Sequence, residues 1–321
     1  MIAFELTIPQ RILKLQALLR RLRVNYVRRP EIEDELGRCM AGYKGEKSLG
    51  YYLNFLPEKE VLILHGLRLS CNNSFFQVDI LILSKSFFLI IEVKNISGEL
   101  LFDDTFKQLI RLNEDGTKES FSDPLQQVKH QKFQFDKWLE ENKVSGFPVE
   151  HLVVMANPKS ILKTTNPKSE YVNKVLHSIH LLEKINEMQA AYPKDVLTLK
   201  QIRSLSKRLI RSNVPEDPDI LNLFDVAKTD LITGVQCPNC ENAPMKRKSG
   251  KWICLHCKTS SKDAHVQALQ DYALLMDKTI SNQEARKFLQ IESPAVAYKL
   301  LQSTGATPSG KNRTRVYHLK S

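Results

Sequence analysis

No apolar run in this 321-residue chain approaches the length of a membrane span, and its longest hydrophobic stretches are strand-sized. That argues against a helical membrane anchor. Near the N-terminus Arg11, Arg20, Arg21 and Arg23 are spread through an amphipathic pattern, without the apolar core or cleavage site of a signal peptide. The chain is therefore expected in the cytoplasm. Cysteine is scarce, six residues in all, and four of them stand in a metal-binding pattern. A disulfide framework is thereby disfavoured, and Cys39 and Cys71 read as ordinary buried thiols. Acidic residues are thin at both ends. Residues 1–30 hold seven Lys/Arg against one acid, residues 237–263 six against two, and residues 280–321 seven against two. Residues 31–236, with 26 basic and 29 acidic residues, are nearly neutral although the chain carries +11. Basic flanks on a neutral core are what polyanion-binding attachments look like, although a solvated basic face is the commoner reading of charge alone.

The informative stretch runs from Gln77-Val78-Asp79 to Leu83 and from Phe87 to Lys94, two apolar strands joined by Ser84-Lys85-Ser86. Leu81, Leu83, Leu89 and Ile91 read as core. Reversal near Lys85 brings Asp79 level with Glu92, and Glu92 and Lys94 share a face because strand side chains repeat every two residues. Two carboxylates and an ammonium would converge. That set suits metal-assisted hydrolysis of a phosphodiester: carboxylates hold Mg²⁺ or Mn²⁺, and a lysine orients water or stabilises developing charge. The plainer reading is a surface hairpin with charged ends.

Residues 9–29 have apolar positions Ile12, Leu15, Leu18 and Leu22 at helical spacing. Its basic face reads as solvated before it reads as a phosphate contact. A second helix is expected from about Gly42 to Phe55, with Glu46 in its first turn. There the helix dipole favours a carboxylate, unless packing on the sheet makes Glu46 a further metal ligand. Strands are expected at Val61–Leu64 and Leu67–Ser70, with a bulge near Gly66, and at 98–102. Asn113-Glu114-Asp115-Gly116 is a hairpin turn. Asp123-Pro124-Leu125-Gln126 starts a helix that runs to about Glu141, with Gln127 and Gln131 one turn apart. Leu152–Ala156 is a buried strand, and 175–189 and 198–211 are helical by period. The order describes an α/β core with a mixed sheet flanked by helices.

These residues resemble the NERD (nuclease-related) domain, a branch of the PD-(D/E)XK nuclease superfamily, over roughly residues 38–156. The resemblance rests on Gly45-Glu46, on Gln77-Val78-Asp79, on Ile91-Glu92-Val93-Lys94-Asn95 with Gly98, and on Asp123-Pro124-Leu125-Gln126-Gln127. Asp123 stands where the family has Asn, and Val78 where it has Ile. The resemblance implies metal ligation by Asp79 and Glu92 with Glu46, assistance by Lys94, and a site role for Gln127.

Cys237-Pro238-Asn239-Cys240 and Cys254-Leu255-His256-Cys257 stand thirteen residues apart. Two Cys-x2-Cys knuckles suit a closed tetrahedral Zn²⁺ site in a ribbon that depends on the metal to fold. The ribbon resembles those appended to DNA topoisomerases. Lys246, Arg247, Lys248, Lys251 and Trp252 between the knuckles suit nucleic-acid contact, and His256 reads as a loop residue. Residues 281–321 read as a helix-turn-helix with a basic strand, Lys311–Leu319, as its wing. The expected organisation is a basic N-terminal helix (1–37), a nuclease-like domain (38–165), a helical extension (166–231), a zinc ribbon (232–263) and a DNA-binding module (264–321). The function expected is a metal-dependent nuclease acting on DNA. The alternatives are a non-catalytic nucleic-acid-binding protein that retains the fold, and a zinc-dependent scaffold for protein partners.

Overall fold

Buried runs of leucine, isoleucine and valine set the centre of the fold. In the computed structural model, which describes residues 1–113, 115–144, 146–311 and 314–319, the chain divides into two units. The first is Met1–Ile8 with Met40–Glu216, the second Pro9–Cys39 with Asp217–Ser321. Numbered along the chain, the elements begin with β1 (Ile2–Phe4), α1 (Gln10–Arg21), α2 (Arg29–Ser48), α3 (Gly50–Leu53), β2 (Leu62–Cys71), β3 (Ser74–Leu83) and β4 (Phe88–Lys94). They continue with β5 (Gly98–Asp103), β6 (Gln108–Leu112), β7 (Lys118–Ser122), α4 (Pro124–Glu141), β8 (Val149–Met155), β9 (Ser160–Thr164), α5 (Tyr171–Lys174) and β10 (Val175–His177). Helices α6 (Leu181–Ala191), α7 (Leu199–Ser212) and α8 (Ile220–Leu223) follow, then β11 (Lys246–Lys248), β12 (Lys251–Ile253) and β13 (Ser260–Ser261). Last come α9 (His265–Leu275), β14 (Thr279–Ser281), α10 (Asn282–Leu289), α11 (Pro294–Ser303), β15 (Thr307–Ser309) and β16 (Val316–His318).

The first unit is built on a six-stranded mixed sheet, β1-β2-β3-β4-β8-β10, as expected for an α/β core. Strands β2, β3 and β4 pair antiparallel; β4, β8 and β10 run parallel. One face carries Leu81, Leu83, Phe88, Ile90 and Val153, packed with Val128, Phe135 and Leu139 of α4 and Leu205 and Leu209 of α7. The other carries Ile80, Ile82, Leu89 and Ile91, against Leu49, Leu53, Leu181 and Ile185. A second sheet, β7-β6-β5-β9, continues from β4. Its β6–β7 turn uses Asn113 and Gly116 as expected, while Glu114 lies outside the described residues.

Several boundaries differ from the sequence reading. Helix α1 stops at Arg21, where Leu22 turns to extended backbone, and the Arg29 guanidinium donates to the carbonyls of Leu19 and Leu22, at 3.0 and 3.3 Å, satisfying acceptors left free at the helix end. Helix α2 then starts at Arg29, well before Gly42. Its first half has little apolar period and draws on ion pairs such as Arg29–Glu33 and Arg38–Glu35. Glu46 therefore sits in the last turn of a helix, not the first, where the dipole opposes a carboxylate. β2 is one continuous strand, with no register shift against β3, and Gly66 takes φ +60° within it. The segment expected to be helical from 175 opens as β10, which pairs with β8 before α6 begins.

The second unit joins α1, α8 and the C-terminal elements. The ribbon is the sheet β11-β12-β13, and β14-β16-β15 follows it. The helix-turn-helix is present as α10 and α11, capped by Ser281 and Ser293. Of the expected basic strand only Val316–His318 is strand; Asn312 and Arg313 lie outside the described residues. Arg21 is 1% exposed, its Nε donating to Asp271 at 2.7 Å and its Nη1 to the Gly234 carbonyl at 2.7 Å. The N-terminal basic face is thus largely consumed: Lys14, Arg20, Arg28 and Arg29 are also in ion pairs within this unit. No helix among the described residues is long and apolar enough to cross a membrane.

Candidate active site and metal centre

Strands β3 and β4 pair from Leu83 and Phe88 up to Ile80 and Ile91, and there the ladder ends. Asp79 and Glu92 are the next residues on each strand, level with one another and on the face that packs against α4. The Val93 N–H, in place of a ladder bond, donates to Asp79 Oδ2 at 2.8 Å. On the other side β4 keeps its parallel register with β8 through Lys94 and Met155, so Glu92 and Lys94 are rigidly mounted. Lys94 Nζ donates to Glu92 Oε1 at 2.6 Å and to Gln127 Oε1 at 3.0 Å. Gln127 comes from the first turns of α4, whose start is fixed by Asp123: its side chain accepts from the Leu125 N–H at 2.8 Å, and Pro124 opens the helix. Asp123 is itself held by the Tyr171 hydroxyl, which donates to Oδ2 at 2.5 Å.

Glu46 enters from α2. The approach depends on Gly45, where a Cβ would come within 2.7 Å of Asn95 Cβ. Asn95, next to Lys94, donates through Nδ2 to the Ala41 carbonyl at 2.8 Å and ties the end of the helix to the end of β4. Burial, then the charge of Glu92, raises the Glu46 carboxyl to about 7. Burial raises Asp79 well above the usual carboxylate range, with Glu92 and Glu46 adding to it. Three carboxylates in mutual repulsion, offering only oxygen donors, are a donor set that fits a hard divalent cation. They are not drawn together, however. Among the described residues only the four cysteines bring three or more such ligand atoms within 4.8 Å of one another. Glu92, Lys94 and Gln127 are joined by short hydrogen bonds, Asp79 is held to β4 through the Val93 N–H, and Glu46 and Asp79 are linked to Glu92 through charge.

One residue of this site was placed on the helix by its spacing but given no role from the sequence. Gln131, 6% exposed and one turn along α4 from Gln127, donates through Nε2 to Glu92 Oε2 at 2.7 Å. Its own Oε1 is buried without a partner. The i, i+4 spacing from Gln127 was visible in the sequence; the need of a buried Glu92 for a donor was not.

Residues 41–156 match the family model for the nuclease-related domain, NERD. This segment is a nuclease-related domain. No curated protein and no solved structure matches the chain. The match ends at the end of β8, whereas the sheets of the first unit continue into β9 and β10.

The four cysteines of the ribbon, Cys237, Cys240, Cys254 and Cys257, have all four sulfurs within 4.8 Å of one another, with 3.5 Å between Cys237 and Cys257 and 3.6 Å between Cys240 and Cys254. A tetrahedron with metal–sulfur distances of about 2.3 Å has edges of about 3.8 Å. The cluster is thus arranged to hold a metal ion. The Thr259 hydroxyl, followed by the Thr259 N–H, pulls the Cys257 thiol down to about 5, while burial pushes Cys237 up to about 11. His256 is exposed and takes no part in the cluster, as expected of a loop residue. Trp252 departs from the expectation. It is fully buried and donates through Nε1 to His265 Nδ1 at 3.3 Å, so it is core and offers no face for stacking bases.

Proposed function

We propose that the nuclease-related domain is a metal-dependent phosphodiester hydrolase acting on DNA, working in the cytoplasm, with the ribbon and the C-terminal helices holding the substrate. The observation that carries this is the Lys94 ammonium, fixed between Glu92 and Gln127 beside Asp79. An ammonium has three protons, and two are committed to these oxygens. The third is left for a phosphate oxygen or an attacking water. Glu46, Asp79 and Glu92 would hold Mg²⁺ or Mn²⁺, which supplies Lewis acidity and a more acidic bound water. Asp79 keeps Oδ1 for that task while its Oδ2 is fixed by the Val93 N–H. Glu92 holds the lysine in place. In the ribbon the metal would be Zn²⁺, in a structural role, and a reducing compartment suits four thiolates.

Binding is assigned to the unpaired cations of the second unit. Among its described residues Lys246, Lys248, Lys251, Lys299 and Arg315 make no ion pair, in contrast to Arg20, Arg21, Arg28 and Arg29. A second reading, a nucleic-acid-binding protein that retains the fold without hydrolysis, is favoured by the carboxylates not closing on one point. Incubation of the purified protein with single- and double-stranded DNA in Mg²⁺ or Mn²⁺ separates the two. Lys94→Ala is expected to keep metal affinity and lose about two orders of magnitude in cleavage. Asp79→Ala is expected to lose both. Equal trace cleavage by wild type and both variants would be contamination, and the binding reading would then stand.

A further inference from the structure

The ribbon hairpin β11–β12 and helices α10 and α11 share one apolar core, in which Trp252 and Cys254 pack in the same cluster as Phe288, Leu300 and Leu301. A hydrogen-bond chain also crosses it. Trp252 Nε1 donates to His265 Nδ1, so the imidazole carries its hydrogen on Nε2, 3.0 Å from Ser303 Oγ. Ser303 Oγ in turn donates to the Leu300 carbonyl at 2.7 Å. The hairpin and α11 are therefore held as one body.

Between them lies a groove of about 710 Å³, with Lys246 and Arg247 on one wall and Ser293, Val296 and Lys299 on the other. Three cations line it against one carboxylate, Glu292. Lys246 and Lys299 are exposed. The Arg247 guanidinium lies 5.1 Å from the centre of the Trp252 ring, and its Nη1 is buried with no hydrogen-bond partner. A buried guanidinium N–H without an acceptor is costly, and an anionic oxygen answers both its charge and its hydrogen. No aromatic residue lines the groove, which argues for contact with phosphate and against base stacking.

We propose that this groove clamps one phosphodiester backbone of a nucleic acid, with the ribbon hairpin on one side of the strand and α11 on the other. The proposal rests on the nucleic-acid-binding reading of the second unit and makes the ribbon and the helices a single contact.

The test is fluorescence anisotropy with the full-length protein and a labelled DNA duplex, at about 50 to 200 mM salt. The variants are Lys246→Glu, Lys299→Glu, the double variant, and Lys262→Glu, an equal charge change outside the groove. Thermal melts and zinc content check that all four fold. Each single groove variant is expected to weaken binding at least tenfold and to lower the log–log salt slope by about one, as for one lost phosphate contact, and the double variant to lower the slope by about two. Lys262→Glu is expected to change affinity less than twofold. Equal losses from Lys262→Glu and Lys246→Glu would mean that net charge binds, and would overturn the clamp while leaving nucleic-acid binding intact. No binding of DNA or RNA by wild type would instead overturn the nucleic-acid reading itself. Polyglutamate binding that depends on Lys246 and Lys299, without nucleic-acid binding, would make the occupant an acidic peptide and overturn the proposal as well.

Discussion

Glu92 shows at the scale of one residue what a buried carboxylate needs. It is 2% exposed, and its two oxygens are divided: Oε1 receives the Lys94 ammonium and Oε2 the Gln131 amide. A hydrogen bond to a buried charge is worth about 1.5–3 kcal/mol, and its loss leaves the acceptor unsatisfied. Gln131→Leu, close in volume, is therefore expected to slow cleavage by roughly ten- to a hundredfold and to weaken Mn²⁺ binding, the latter measurable by calorimetry. Unchanged Mn²⁺ affinity and cleavage in a folded variant would show that Gln131 merely packs. Asp79, Glu92 and Lys94 could be placed side by side from the sequence because strand alternation is a local pattern, whereas Gln127 entered only through the family resemblance. Gln131 could not be so placed, since its partner is 39 residues away. Trp252 was misread for the same reason: a tryptophan among lysines reads as a contact surface until the helices that cover it are in place.

Elements were legible where their end signals are chemical. Asp123-Pro124 marks the start of α4, Ser281 caps α10 with its reciprocal Glu284 bond, and Ser293-Pro294 opens α11. Helix α2 gave no such signal, and its true start moves Glu46 from the first turn of a helix to the last. The seam between the ribbon and the helices depends on one imidazole. Burial, with help from Arg247, lowers His265 from 6.5 to about 4. Between those values the unfolded chain takes up a proton that the folded chain refuses. The contribution of a neutral His265 is thus complete above about pH 7 and is lost progressively as pH falls toward 4. Urea midpoints from pH 7 to 4.5 should fall more steeply for wild type than for His265→Gln, and metal loss on acidification is common to both. Parallel slopes would remove His265 from the account.

The whole molecule is two units, each with its own core, and a tryptophan in each: Trp138 on α4 and Trp252 in the ribbon, both buried. Removal of the ribbon metal by a chelator should lower the melting transition reported by Trp252, read in a Trp138→Phe background. The transition reported by Trp138, read in a Trp252→Phe background, should not move. A chelator-induced shift of both would make the units one cooperative system. The division itself could not be read along the chain, because residues 9–39 fold with 217–321, and Arg21 finds its carboxylate 250 residues away at Asp271. What the sequence alone determined was local: the alternating strands ending in Asp79 and Glu92-Val93-Lys94, the capped starts of α4, α10 and α11, and the two cysteine knuckles, each set by residues a few positions apart. The tertiary structure alone decided which charges are already paired, which aromatic is core, and which glutamine holds Glu92. Burial and pairing depend on partners that chain order does not bring near.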